Sequence, residues 1–119
     1  MNNIAIFGVL TDEVELRYTP TGDAVTTARV AVVESKDSKR KAVYVDVQLW
    51  KGTAEFAAEH AAKGKKVVVS GRLAYDQWEQ DGQRRSKHYI VAAPGLDGFR
   101  FAEFQGVTPP EVSEDPEAS

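Results

Sequence analysis

Val43-Tyr44-Val45-Asp46-Val47-Gln48-Leu49-Trp50 alternates without a break: Val43, Val45, Val47 and Leu49 on one side, Tyr44, Asp46, Gln48 and Trp50 on the other. Successive side chains of a strand face opposite ways, so these residues form a strand with an aliphatic face and a polar face carrying two rings. Tyr44 and Trp50 are six residues apart, roughly 20 Å along a strand, too far to stack on each other. Two separated rings on a polar strand face suit independent stacking of flat ligands such as nucleic-acid bases. The plainer alternative is packing of one or both rings against a neighbouring strand.

Working outward, the segments before and after this strand also read mostly as strands. Ile4–Leu10 is the first, and Ala24–Val33 is a long one of small and β-branched residues. Between them Thr19-Pro20-Thr21-Gly22 is a turn, with proline presetting φ at its second position. The loop 34–42 holds Lys36, Lys39, Arg40 and Lys41 against Glu34 and Asp37. A run of this kind is usually a solvated loop, and beside an aromatic strand it also suits a phosphate clamp.

The spacing predicts one helix, Thr53–Lys63, with Thr53 as N-cap, alanines in the middle and Gly64 at the C-terminal stop. A strand Lys66–Leu73 follows, in which Gly71 signals a bulge or a close backbone approach. Asp81-Gly82 is a hairpin signal, because a type I′ turn needs positive φ at both central residues. A two-residue loop pairs Gln80 with Gln83, Trp78 with Arg85 and Asp76 with Lys87. That places Trp78, Arg85 and Lys87 on one ribbon face, an aromatic beside two cations. The alternative is a cross-strand cation–π pair that stabilises the hairpin alone. Gly98–Phe104 reads as a last strand, with Phe99 and Phe101 as core or subunit-contact residues.

Five or so strands with one helix between the third and fourth is the order of an OB-fold, a small all-β, partly open Greek-key barrel. The expected organisation is one domain over residues 1–105 and a disordered acidic tail over residues 106–119, which has little apolar surface to bury. The net charge of −3 divides accordingly. Glu111, Glu114, Asp115 and Glu117 fall in the tail, leaving 15 basic and 14 acidic residues in the body. Attraction to phosphate must therefore come from local clusters.

The chain has no cysteine, and only His60 and His88 as histidines, so neither thiol chemistry nor a zinc site is expected. There is no phosphate loop, no nucleophile with a partnered base, and no pair of carboxylates at catalytic spacing. An enzyme is not expected; nor are catalytic residues, a metal or a cofactor. Met1-Asn2-Asn3-Ile4 leads into a strand rather than a signal peptide, and no apolar run approaches a membrane span. No membrane partner is expected.

Several segments together resemble the bacterial single-stranded DNA-binding proteins. They are Glu15-Leu16-Arg17-Tyr18-Thr19-Pro20-Thr21-Gly22, followed by Ala24-Val25 and the strand through Ala31-Val32; Gly64-Lys65-Lys66-Val67-Val68-Val69-Ser70-Gly71-Arg72-Leu73; Trp78 followed by Asp81-Gly82-Gln83; and the Asn2-Asn3 start. The resemblance runs from Met1 to about Phe104. It implies an OB-fold that binds single strands without sequence preference in replication, recombination or repair, in the cytoplasm with the nucleoid, as a homotetramer built from two dimers. Its stacking positions match Tyr44, Trp50 and Trp78. A further aromatic of some relatives falls near Lys36, which leaves electrostatics a larger share there. Candidate phosphate contacts are Lys36, Lys39, Arg40, Lys41, Lys51, Arg72, Arg84, Arg85 and Lys87, with Arg17 and Arg29 as readily structural. The ending, Glu114-Asp115-Pro116-Glu117-Ala118-Ser119, is acidic but lacks the hydrophobic tip through which full-length relatives recruit replication and repair enzymes. Recruitment by this tail is therefore doubtful, and a short paralogue, a phage or plasmid version and a truncated chain fit it equally. The alternative to strand binding is an OB-fold adaptor of primosomal type, its aromatic face turned to a protein. Nothing in the residues separates RNA from DNA, since a stacking platform accepts both.

Overall fold

The structure, a computed structural model, describes residues 1–12, 14–32 and 43–102. Its elements are β1 (Ile4–Leu10), β2 (Arg17–Tyr18), β3 (Ala24–Val32), β4 (Val43–Trp50), α1 (Lys51–His60), β5 (Lys66–Gln80), β6 (Gln83–Ala92), a 3₁₀ turn (Gly95–Asp97) and β7 (Phe99–Phe101). Hydrogen bonding runs in the order β1-β3-β4-β6-β5, and β5 returns to β1 through Ile4↔Gly71 to Val9↔Lys66. Five strands thus close a ring, with α1 connecting β4 to β5, the third and fourth of them in chain order. This is the OB-fold expected from the strand order. A short parallel contact between β4 and β6, Val47↔Ile90 and Gln48↔Val91, completes the closure. β2 pairs with β3, and β7 pairs with β5 outside the ring.

Closure gives each strand an inner and an outer face, and the pleat decides which residue goes where. Leu10, Val30, Val47, Leu49, Val67, Val69, Ile90 and Phe99 are buried together, and α1 adds Ala54 and Ala57. The aliphatic side of β4 is core only in its second half. Val47 and Leu49 are fully buried, whereas Val43 is 50% exposed. Phe99 is core as expected, and Phe101 packs edge-on against it with ring centroids 5.5 Å apart.

The helix differs from expectation at both ends. It starts at Lys51, directly off β4, with Trp50 in the N-cap position and no side-chain cap. Lys51 absorbs the strand-to-helix turn at φ 55°, in the left-handed region that costs an L-residue roughly 1–2 kcal/mol. Thr53 is therefore already inside the helix. Its buried hydroxyl accepts a hydrogen bond from the Gly95 N–H at 2.9 Å, tying α1 to the 3₁₀ turn. At the other end the helix stops at His60, and Gly64 turns the chain into β5.

β5 runs on past Leu73 to Gln80, and β6 pairs with it along its whole length. The last part of this pair, beyond Ala74 and Tyr89, projects as a ribbon exposed on both faces. Asp81 and Gly82 both have positive φ, 53° and 76°, and the register is the expected one, Gln80↔Gln83, Trp78↔Arg85 and Asp76↔Lys87. Gly71 marks a close approach: a Cβ there would lie 2.1 Å from the Val91 carbonyl oxygen. Asn2 explains itself here too. Its amide donates to the Leu73 carbonyl at 2.9 Å and accepts the Leu73 N–H at 2.8 Å, extending the β1–β5 ladder by one side chain.

Among the described residues no helix is long and apolar enough to cross a membrane, which says nothing of spanning by strands. Lys36, Lys39, Arg40 and Lys41, with the rest of their loop, and the acidic tail lie outside the described residues.

Candidate nucleic-acid interface

The outward-facing residues of β3, β4, β6 and β5 form one continuous surface. Because β3 sends Ala24, Thr26, Ala28 and Val30 inward, it must present Val25, Thr27, Arg29 and Ala31 outward. The register sets these beside Trp50, Gln48, Asp46 and Tyr44 of β4, in that order. Across the parallel contact, Gln48 meets Val91 of β6, and the same face of the ribbon carries Tyr89, Lys87 and Arg85 beside Ala74, Asp76 and Trp78. A groove runs between the two halves. Thr27, Asp46 and Gln48 form one wall, and Trp78, Lys87, Tyr89 and Asp76 the other.

The three rings expected to stack all open onto this surface. Tyr44 is 44%, Trp50 37% and Trp78 43% exposed, high for such large apolar groups. Two of them are oriented by a side-chain neighbour, and the third is placed by its strand register. The Arg29 guanidinium lies over the Tyr44 ring at 5.1 Å from its centroid, covering one face of it. Trp50 donates its indole N–H to Gln48 Oε1 at 2.8 Å. Trp78 stands on the ribbon directly opposite Arg85.

Of the expected phosphate contacts in the described residues, Arg72, Arg85 and Lys87 share this face. Lys51 sits at its margin, exposed and next in sequence to Trp50. Arg84 does not join them: it pairs with Glu79 on the opposite face of the ribbon. Lys87 reaches across the groove and forms an ion pair and hydrogen bond with Asp46. Asp76 accepts a hydrogen bond from the Tyr89 hydroxyl at 3.0 Å. Partial burial, and then this carboxylate, push the Tyr89 phenol above its ordinary pKa, with Arg72 opposing. On the other ribbon face, hydrogen bonds from Ser86 and Gln77 lower the Tyr75 phenol.

Sequence reasoning placed Asp46 on the ring-bearing face of β4, under-weighted Arg29 and missed Tyr89 as part of this surface. The signal for the last two was parity. Arg29 alternates with the inward alanines of β3, and Tyr89 has the parity of Arg85 and Lys87.

The surface carries separated rings, cations set among them and few deep contours. It can hold flat groups by stacking and anionic linkages by charge.

Comparison with known proteins points the same way. A model of the single-strand binding protein family matches residues 1–96. A single-stranded DNA-binding protein of Wolinella succinogenes is 37% identical over 99 residues, covering 76% of this chain and 60% of its own. One from Clostridium tetani is 40% identical over 108 residues, covering 87% and 72%, and one from Helicobacter pylori 32% over 116, covering 91% and 62%. The chain spans about 60% of the length of the first of these relatives. With the family model covering its barrel and most of its length, this chain belongs to the single-strand binding protein family.

Proposed function

We propose that this protein binds single-stranded DNA without sequence preference and without catalysis, serving replication, recombination or repair in the cytoplasm with the nucleoid. Bases stack on Tyr44, Trp50 and Trp78, and phosphates are neutralised by Arg72, Arg85, Lys87 and Lys51, with the basic loop (Lys36, Lys39, Arg40, Lys41) adding to them. Arg84, on the far face of the ribbon, contributes where a strand wraps around the hairpin tip. The binding domain covers residues 1–105, with the acidic segment 106–119 as an appendage. The observation that carries the reading is that all three rings open onto one outer face, threaded by cations, although they come from strands far apart in sequence.

The family and its relatives' names support DNA as the ligand. A homotetramer formed from two dimers is the assembly we propose. It is supported by β1, which pairs with β3 from Gly8 to Leu10 and, among the described residues, leaves Ile4–Ile6 an edge to which a second copy can add. Titration of the tryptophan fluorescence with an oligothymidylate at low and high salt tests the reading. Strong quenching that weakens with salt is expected, because stacking alters the indoles and phosphate contacts release counterions. No quenching at low salt from folded protein would refute it.

A further inference from the structure

The ion pair between Lys87 and Asp46 lies in the middle of the proposed base-binding surface. Lys87 is on the same ribbon face as Trp78 and Arg85, where a base on Trp78 would bring its phosphate. Its ammonium instead crosses the groove to Asp46 Oδ2. A carboxylate oxygen offers Lys87 the same thing a phosphate oxygen does, an anionic acceptor at hydrogen-bond range. The two partners differ in accessibility: the Lys87 side chain is 45% exposed and that of Asp46 only 22%. Asp46 is held on a central strand, while the lysine is open to solvent and to an incoming strand. Asp46 also stands opposite Arg29 in the register, so it faces two of the surface's cations.

We propose that Asp46 is an internal phosphate surrogate that sets the strength of strand binding. In the free protein it holds Lys87. A bound strand gains the Lys87 contact only by breaking that pair, and it then lies beside a carboxylate that has lost its lysine partner. Asp46 thereby weakens binding and flattens its salt dependence, leaving stacking as the larger share of affinity. It is a positioning residue, acting through Lys87. This rests on the strand-binding reading above.

The test is the affinity for an oligothymidylate across a salt series for wild type, Asp46→Asn, Lys87→Gln and the double variant. Asp46→Asn keeps the shape of a partly exposed strand residue. Should it fold poorly, Asp46→Ser asks the same question. The expected result is tighter binding by Asp46→Asn, roughly three- to tenfold at low salt, narrowing as salt rises. Its log–log salt slope should steepen by about 0.7, the value for one more phosphate neutralised on a single strand. Lys87→Gln should weaken binding several-fold more in the Asp46→Asn background than in the wild type, a coupling that a purely structural role for Asp46 would not produce. Equal affinity and slope for wild type and Asp46→Asn, with the wild type binding, would overturn the surrogate role and leave the strand-binding reading standing. A wild type that does not bind single strands would overturn both.

Discussion

Replacing Trp78 by alanine separates binding from folding more cleanly than any other change on the outer face. The ring sits on a ribbon exposed on both sides, is 43% exposed itself, and is paired with Arg85 across the ladder. Its contribution to the fold is that of a cross-strand pair, about 0.2–1 kcal/mol. Its contribution to binding should be larger, since one base stacked on an aromatic is worth about 1–3 kcal/mol by alanine substitution. At 1.4 kcal/mol per factor of ten, that is roughly 5- to 150-fold in affinity. The chain has two tryptophans, so the variant leaves Trp50 as the fluorescent reporter. Anisotropy of a labelled oligothymidylate supplies an affinity independent of either indole. Trp78→Phe should recover most of the loss, because a phenyl ring still stacks. Affinity of Trp78→Ala within about twofold of wild type would remove this residue from the platform. A Trp78→Phe variant as weak as alanine would mean that the indole acts by something other than stacking.

Two further predictions test the scaffold. Gly71→Ala should cost at least about 2 kcal/mol and lower the melting temperature by roughly 10 °C, because a Cβ would lie 2.1 Å from the Val91 oxygen and 2.9 Å from Ala92 Cα, both backbone atoms with little room to yield; unchanged thermal unfolding would show the crossing to be looser than this. Thr53→Val should destabilise by about 1–2 kcal/mol and speed hydrogen exchange at the Gly95 amide, which loses its acceptor. Unaltered exchange at Gly95 would show that the Thr53 hydroxyl does not protect that amide.

What could be read from the residues followed from short-range chemistry. The period-2 pattern of β4 and the two-residue Asp81-Gly82 loop were enough to place Trp50 and Tyr44 on one face, and Trp78 opposite Arg85. The helix ends were not legible, because Thr53 and Gly64 look like caps while the actual turn into α1 is made by Lys51, a residue with no marked preference for positive φ. The hairpin register at the tip of β5 follows from its loop, but the continuity of that tip with Lys66–Leu73 does not. Asp76, Gln77, Glu79 and Gln80 are exposed, so no hydrophobic period links the two parts, and the strand is held there by its ladder to β6. Arg84 is the neighbour of Arg85 in sequence, yet the loop length alone implies its pairing with Glu79 and hence the other face. The Lys87–Asp46 contact joins residues 41 apart. No local pattern could have carried it.

The placement of the rings depends on register, and the register is anchored away from the rings. A slip of one residue between β5 and β6 would turn Gln77 and Glu79 to the outer face and take Trp78 off it. Nothing buried around Trp78 opposes such a slip. Resistance comes from the two ends of the pair. At the tip, the positive φ values of Asp81 and Gly82 suit a loop of two residues only. At the base, Gly71 admits the Val91 carbonyl, Ile90 and Val69 are locked in the core, and Asn2 grips the Leu73 backbone. An exposed ring can therefore be held in fixed relation to Trp50 and Tyr44 without being buried itself. Stability and binding are thereby assigned to different residues of the same two strands. Changes on the outer ribbon face should move affinity and leave the fold, whereas changes at the base should move both together. Gly71→Ala, which touches no proposed ligand, should accordingly weaken strand binding even at temperatures where the variant remains folded.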